Sequence, residues 1–252
     1  MANPVIPGGV GSPQAIYETS TTQHHRIGER GMLSDRSFRY ARSIDASGIV
    51  LGSLLQSAAP EAAHVSETGT LTGFTAGRQD FTAVLGAAAA AANRYESGFI
   101  KIQSSTLGAG QIYRLVGGHG AVASAGTISL RTEHPIVTTP TGTVTWSLTP
   151  NRWADVIIQP TTITSTSAGV NLVAIPAASA TAPVFCWVQT WGSTSVLIDT
   201  SAIVAGSSVI VGANAGTVGV AVETDIKQRI GVAEEAITTD SIFCNVFLMI
   251  AP

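Results

Sequence analysis

The run Ile242-Phe243-Cys244-Asn245-Val246-Phe247-Leu248-Met249-Ile250 decides the fold class. Side chains alternate between the two faces of a β-strand. With that period, Ile242, Cys244, Val246, Leu248 and Ile250 make one wholly apolar face. Phe243, Phe247 and Met249 make most of the other face apolar as well. A strand apolar on both faces is covered on both faces. The run is therefore expected either at the centre of a sheet or with its second face against another subunit.

The same period extends backwards through the chain. Residues 98–103 and 111–116 read as a hairpin around the Gly-containing stretch 104–110. Further strands are expected at 127–131, 143–148, 155–159, 170–175, 184–190, 194–199, 208–211 and 217–222. Short strands at this spacing, punctuated by Gly, Pro and Asn, indicate an all-β fold. The expectation is a β-barrel or β-sandwich body of short antiparallel strands with little helix. The alanine run Ala87–Ala92 favours helix by propensity, but Gly86 and Gly98 confine it, so a short helix and a loop both stay open.

Composition narrows the function. The chain has 252 residues, of which 12% are charged and 45% hydrophobic, with a net charge of −3. Its 29 Thr, 24 Ser and 26 Gly leave little room for ionic groups. A disordered chain would be charged and poorly hydrophobic. A dedicated nucleic-acid binder needs clustered Lys and Arg, and only Lys101 and Lys227 are lysines. Residues 156–198 carry no charge, yet Gly, Pro, Ser, Thr and Asn interrupt them, so buried strands are expected rather than a membrane span. No nucleic acid, membrane or cofactor is expected as a partner.

The charges that exist are unevenly placed. Residues 24–42 hold five arginines against Glu29 and Asp35, while the chain from Tyr95 onward has six basic and nine acidic residues. Residues 1–45 accordingly read as an extended, Pro/Gly-opened N-terminal arm, either a solvated tail or a segment that orders on a partner. Arg26, Arg30, Arg36, Arg39 and Arg42, with Phe38 and Tyr40, are its candidate contact residues. The remainder divides into β-rich regions at 46–160 and 161–252.

Chemical motifs are sparse. Gly117-Gly118-His119-Gly120 lacks the spacing of a phosphate cradle. The five histidines form no metal-ligand pattern and read as surface residues. No G-x-S-x-G elbow occurs. Cys186 and Cys244 lie in apolar runs and read as buried thiols. Trp187 and Trp191 share one strand face. With Tyr113, Phe243 and Phe247 they are candidates for a core or a subunit interface, and a stacking platform for sugars is the alternative for Trp187, Trp191 and Tyr113.

Several short motifs occur in a suggestive order. They are His25-Arg26-Ile27-Gly28-Glu29-Arg30, Asp35-Arg36-Ser37-Phe38-Arg39-Tyr40-Ala41, Asn93-Arg94-Tyr95-Glu96-Ser97-Gly98-Phe99, Gly108-Ala109-Gly110-Gln111-Ile112-Tyr113-Arg114, Trp187-Val188-Gln189-Thr190-Trp191-Gly192 and Ile230-Gly231-Val232-Ala233. From about His25 to the end, this order resembles capsid decoration (cement) proteins of tailed bacteriophages. The resemblance implies a non-enzymatic protein on the outside of a phage head, assembled in the bacterial host cytoplasm. It implies a homotrimer that binds the major capsid protein and ties neighbouring capsomers together. The alternative is a β-rich tail, fibre or surface carbohydrate-binding module.

Overall fold

The computed structural model describes residues 3–6, 11–199, 202–222, 227–237 and 242–252. Strands dominate. From the N-terminus come β1 (Thr19–Ser20), β2 (Arg30–Leu33), β3 (Arg36–Ser43) and β4 (Leu54–Gln56). A 3-10 turn at Ala62–His64 leads to β5 (Leu71–Thr72), β6 (Asp80–Val84), β7 (Phe99–Ser104), β8 (Ile112–Val116), β9 (Thr127–Thr132) and β10 (Thr145–Thr149). The rest is β11 (Ile157–Ile158), β12 (Ser167–Asn171), β13 (Val184–Leu197), β14 (Ser208–Val211), β15 (Val218–Val220), β16 (Arg229–Ala233) and β17 (Phe243–Met249). No α-helix occurs among the described residues. The expected all-β class holds.

The chain forms two compact units, and their bounds differ from the expected division at 45 and 160. One unit is Met1–Ala58 with Arg152–Pro252, and the other is Ala59–Asn151. Residues 1–45 are not a separate arm. Their strand β3 pairs with β13 from Ser43↔Val184 to Ser37↔Trp191, and β2 pairs with β3. The reason is visible in Arg36–Ser43, where Phe38, Tyr40 and Ala41 are fully buried between half-buried arginines. Arginine stems cover apolar surface while their heads reach water, so a strand with this pattern is as good a core element as a purely apolar one.

β13 organises the first unit. Where two strands were expected, one 14-residue strand runs through. Its first half pairs with β1, β3 and β12, and its second half pairs with β17 from Trp191↔Met249 to Leu197↔Phe243. The sheet continues through β16 and β14 to β15 on one side and through β12 and β4 to β11 on the other. The first half is buried on both faces. Val184, Cys186 and Val188 join one core cluster, with Ala41, Leu55 and Val156. Phe185 and Trp187 join another, with Ile16, Ile27, Phe38 and Tyr40. Enclosure within the chain thus accounts for the part of the charge-free run that forms the first half of β13. Cys186 and Cys244 are buried free thiols, as expected.

The exchange of partners is made at a bend. The pairing with β3 is irregular between Gln189 and Trp191, and Gly192 follows with φ +87°. A Cβ there would sit 3.1 Å from both Cγ of Arg36 and the carbonyl oxygen of Asp35. The fully buried Gln189 amide lies within 3.1 Å of the carbonyl oxygens of Trp191, Gly192 and Ser193. It satisfies backbone groups that the bend would otherwise leave without donors.

The second unit is a six-stranded antiparallel sheet in the order β10-β7-β8-β9-β6-β5. Glu67 exchanges two backbone hydrogen bonds with Trp146 of β10, and β5, a few residues on, pairs with β6. Residues 67–72 therefore reach both β10 and β6 and curl the sheet into a half-barrel. Alternate residues Phe81, Ala83, Ile100, Ile102, Tyr113, Leu115, Ile128, Leu130, Trp146 and Leu148 fill its core. The alanine run is a loop. Ala90 bridges to Val122, and the short segment between Gly86 and the positive-φ Asn93 leaves no length for a costly helix nucleus.

If the bend requires glycine, Gly192→Ala lowers stability by roughly 1–3 kcal/mol from backbone strain. Urea unfolding followed by tryptophan fluorescence measures it. An unchanged midpoint would show that the bend tolerates a side chain.

Candidate functional site

The expected contact residues converge on the N-terminal segment that lies over the first half of β13. Gln14 is its anchor. Its side-chain amide donates to the carbonyls of Phe185 (3.0 Å) and Glu18 (2.9 Å). Its Oε1 accepts from the Tyr40 hydroxyl at 2.7 Å, and its backbone carbonyl accepts from the Trp187 indole at 3.1 Å. Tyr40 also receives the His24 backbone N–H at 3.1 Å. Burial pushes the Tyr40 hydroxyl up to about 12, so it remains a neutral donor.

Phe38 and Tyr40 are fully buried, which corrects their reading as shell-contact residues. They hold this segment to β13 instead. Arg42 is also engaged internally, with Nη2 and Nε at 2.7 and 2.8 Å from Oδ1 of Asp155 and little exposure on either side chain. Arg39 donates to the carbonyls of Gly28 (3.3 Å) and Pro252 (2.9 Å) and lies 4.9 Å over the Trp153 ring. Arg30 is half-buried and donates to Ser37. Arg36 is half-buried beside Phe38, and Arg26 alone of the seven is classed as exposed.

Tyr113 and Trp187 are core residues. The sugar platform considered for Trp187, Trp191 and Tyr113 is therefore absent, because two of the three rings are enclosed. Trp191 is half-buried, edge-on to Phe247 at 5.5 Å. Phe243 and Phe247 are half-buried and Met249 is 45% exposed, while Cys244, Val246 and Leu248 on the opposite face are fully buried. β17 sits inside the sheet between β13 and β16, one of the two placements its sequence allowed, and its second face is open within the chain.

One constellation escaped the sequence reading. Ser12 Oγ lies 2.8 Å from Nε2 of His25, and Nδ1 of His25 lies 3.6 Å from the Glu29 carboxylate. These are the residue types of a hydrolytic triad, but the protons run the other way. The Ser12 hydroxyl donates to the Gln14 carbonyl at 2.7 Å, so Nε2 of His25 must be the donor to Ser12. A general base needs a free Nε2 lone pair and a proton on Nδ1. Ser12 is also buried, 2% exposed. The cluster fixes the N-terminal segment. His25 contradicts its surface reading, as does the fully buried His64.

The second unit holds a related network. His64 Nε2 donates to the Ala88 carbonyl at 3.0 Å, and its Nδ1 meets the Tyr95 hydroxyl. The Tyr95 backbone N–H donates to His119 Nε2 at 3.1 Å, and His119 Nδ1 donates to the Gly120 carbonyl at 2.8 Å. His119 is neutral in this pattern, because a protonated ring would turn Nε2 against the Tyr95 N–H. Desolvation by burial lowers the His119 pKa from 6.5, more than the Gly120 carbonyl and Glu96 raise it.

Comparison with known proteins finds no matching family model, curated protein or solved structure.

Two measurements test these contacts. Removing one partner of a buried ion pair leaves the other uncompensated. Arg42→Ala should therefore cost about 3 kcal/mol, whereas Arg131→Ala, which breaks the exposed Arg131–Asp80 pair, costs less than about 1 kcal/mol. Equal losses in urea unfolding would refute the distinction. The second concerns pH. The folded state holds His119 below its unfolded pKa, so its contribution is present above pH 6.5 and falls as pH drops towards the folded value. His25 acts with the same sign, again through burial. Unfolding midpoints should fall between pH 7.5 and 5.5, and the fall should be smaller in His119→Phe. An equal fall in that variant would remove His119 from the account.

Proposed function

We propose that the protein is a non-enzymatic structural subunit of a virion, a decoration protein that self-associates and binds the outside of a phage head. The observation that carries this reading is the outer face of β17 and the second half of β13. Trp191, Phe243, Phe247, Leu197 and Met249 lie along it, half-buried or exposed, with Ser193, Ser195 and Asn245 between them. Apolar and aromatic side chains among small polar ones are the composition of interfaces between subunits. The low charge density of the chain and its motif order support the same reading.

The folded N-terminal segment changes how such a protein would grip its shell. Phe38, Tyr40, Arg39 and Arg42 are committed within the chain, so docking is by a preformed surface rather than by an unfolding arm. Interfaces of this kind need little rearrangement on binding. Repetition over a closed shell lets each contact be weak.

Light scattering of the purified protein should give a closed oligomer, with a trimer expected at three times 25.8 kDa. Met249→Glu, at an exposed position, should shift it to monomer without lowering its unfolding midpoint. A monomeric parent protein would overturn the self-association. Quantitative mass spectrometry of purified virions should find hundreds of copies per particle, as expected for a symmetric shell. Single-digit copies would instead place the protein in a tail or connector.

A further inference from the structure

At the bend of β13 the first unit has a pocket of about 220 Å³. It is framed by Tyr17, Arg36, Leu51 and Gly52, Asn171 and Leu172, and Thr194 and Ser195. These residues come from five separate segments of the first unit. Tyr17 precedes β1, Arg36 opens β3, Leu51 and Gly52 precede β4, Asn171 ends β12, and Thr194 and Ser195 follow Gly192.

Three features distinguish it from the other concavities. Tyr17 is 53% exposed although its neighbours Ala15 and Ile16 are buried, so an aromatic ring stands at the rim. Arg36 is half-buried, and its guanidinium, beside the Phe38 ring, has no hydrogen-bond or carboxylate partner among the described residues. Asn171 is fully buried and donates at 2.8 Å to the carbonyls of both Val50 and Val173, which fixes the floor of the pocket.

We propose that this pocket binds one acidic sugar residue, a pyranose carrying a carboxylate. The Tyr17 ring offers a face for the sugar's C–H surface, and Leu51 and Leu172 extend it. The Arg36 fork pairs with the carboxylate. The Ser195 hydroxyl, on the exposed face of β13, takes a ring hydroxyl. A mostly apolar pocket with a few convergent polar groups is the usual form of a small-ligand site. The volume limits the ligand to about one ring. The pocket is built within one chain and shares only Ser195 with the face proposed for self-association.

The test uses the full-length protein and two probes, methyl glucuronide and methyl glucoside, followed by amide NMR shifts. The glucuronide should shift the amides of Gly52, Asn171, Thr194 and Ser195 saturably, and the glucoside should bind at least tenfold more weakly. Arg36→Gln should abolish that preference, and Tyr17→Ala should weaken both sugars at least tenfold. Arg131→Gln, in the other unit, should change neither. Shifts absent at tens of millimolar glucuronide would overturn the proposal, as would a preference that survives Arg36→Gln. Binding of inorganic phosphate as tight as that of glucuronide would reduce the site to a general anion contact and overturn it as well.

Discussion

The pairing of β13 with four other strands is the constraint on which the first unit depends. A strand that serves two sets of neighbours must present continuous donors and acceptors along its length and yet turn where the sets meet. Gly192 makes the turn possible by its positive φ, and Gln189 supplies amide protons to the carbonyls the turn exposes. The N-terminal segment then closes over the first half through Gln14, Tyr40 and Trp187. Distant parts of the sequence share this one strand: residues 19–20, 37–43, 170–171 and 243–249 all pair with it.

Much of this was legible in the sequence, and the failures have physical causes. Period-two runs such as 111–116, 127–131 and 208–211 became strands with nearly the same bounds because turn residues flank them. β3 was missed because its arginines resemble a solvated arm, while their stems and the bulk of Phe38 and Tyr40 make it core. The unit bounds were missed because Ala59–Asn151 lies within the sequence of the other unit, and no change in composition marks where the chain leaves and returns. The two-sided apolarity of β17 pointed to a central strand or a subunit contact. The strand is central, between β13 and β16, and keeps one face open within the chain, while the first half of β13 is enclosed on both faces.

The candidate sites were legible only in part. Residue types can be counted in a sequence, but the direction of a hydrogen bond cannot. Ser12, His25 and Glu29 are near one another in sequence without any spacing that announces contact, and only the Gln14 carbonyl shows that the serine proton points away from the histidine. The pocket at the bend draws on five separate segments, and Tyr17 and Asn171 carry no motif. Arg36 alone among its residues was singled out by sequence, and for a different contact. The bend creates that pocket, and the open face of β17 begins where the N-terminal segment stops covering β13. Both proposed surfaces thus follow from the same change of partners.

Amide hydrogen exchange along β13 tests this dependence most directly. If β13 is one structural member, amides from its first half and its second half open together, with the same free energy as global unfolding of the unit. Residues 185–189 and 193–197 would then share one protection level and one dependence on denaturant. Two distinct levels, with the half paired to β17 opening independently of the half paired to β3, would contradict the claim that a single strand holds the unit together.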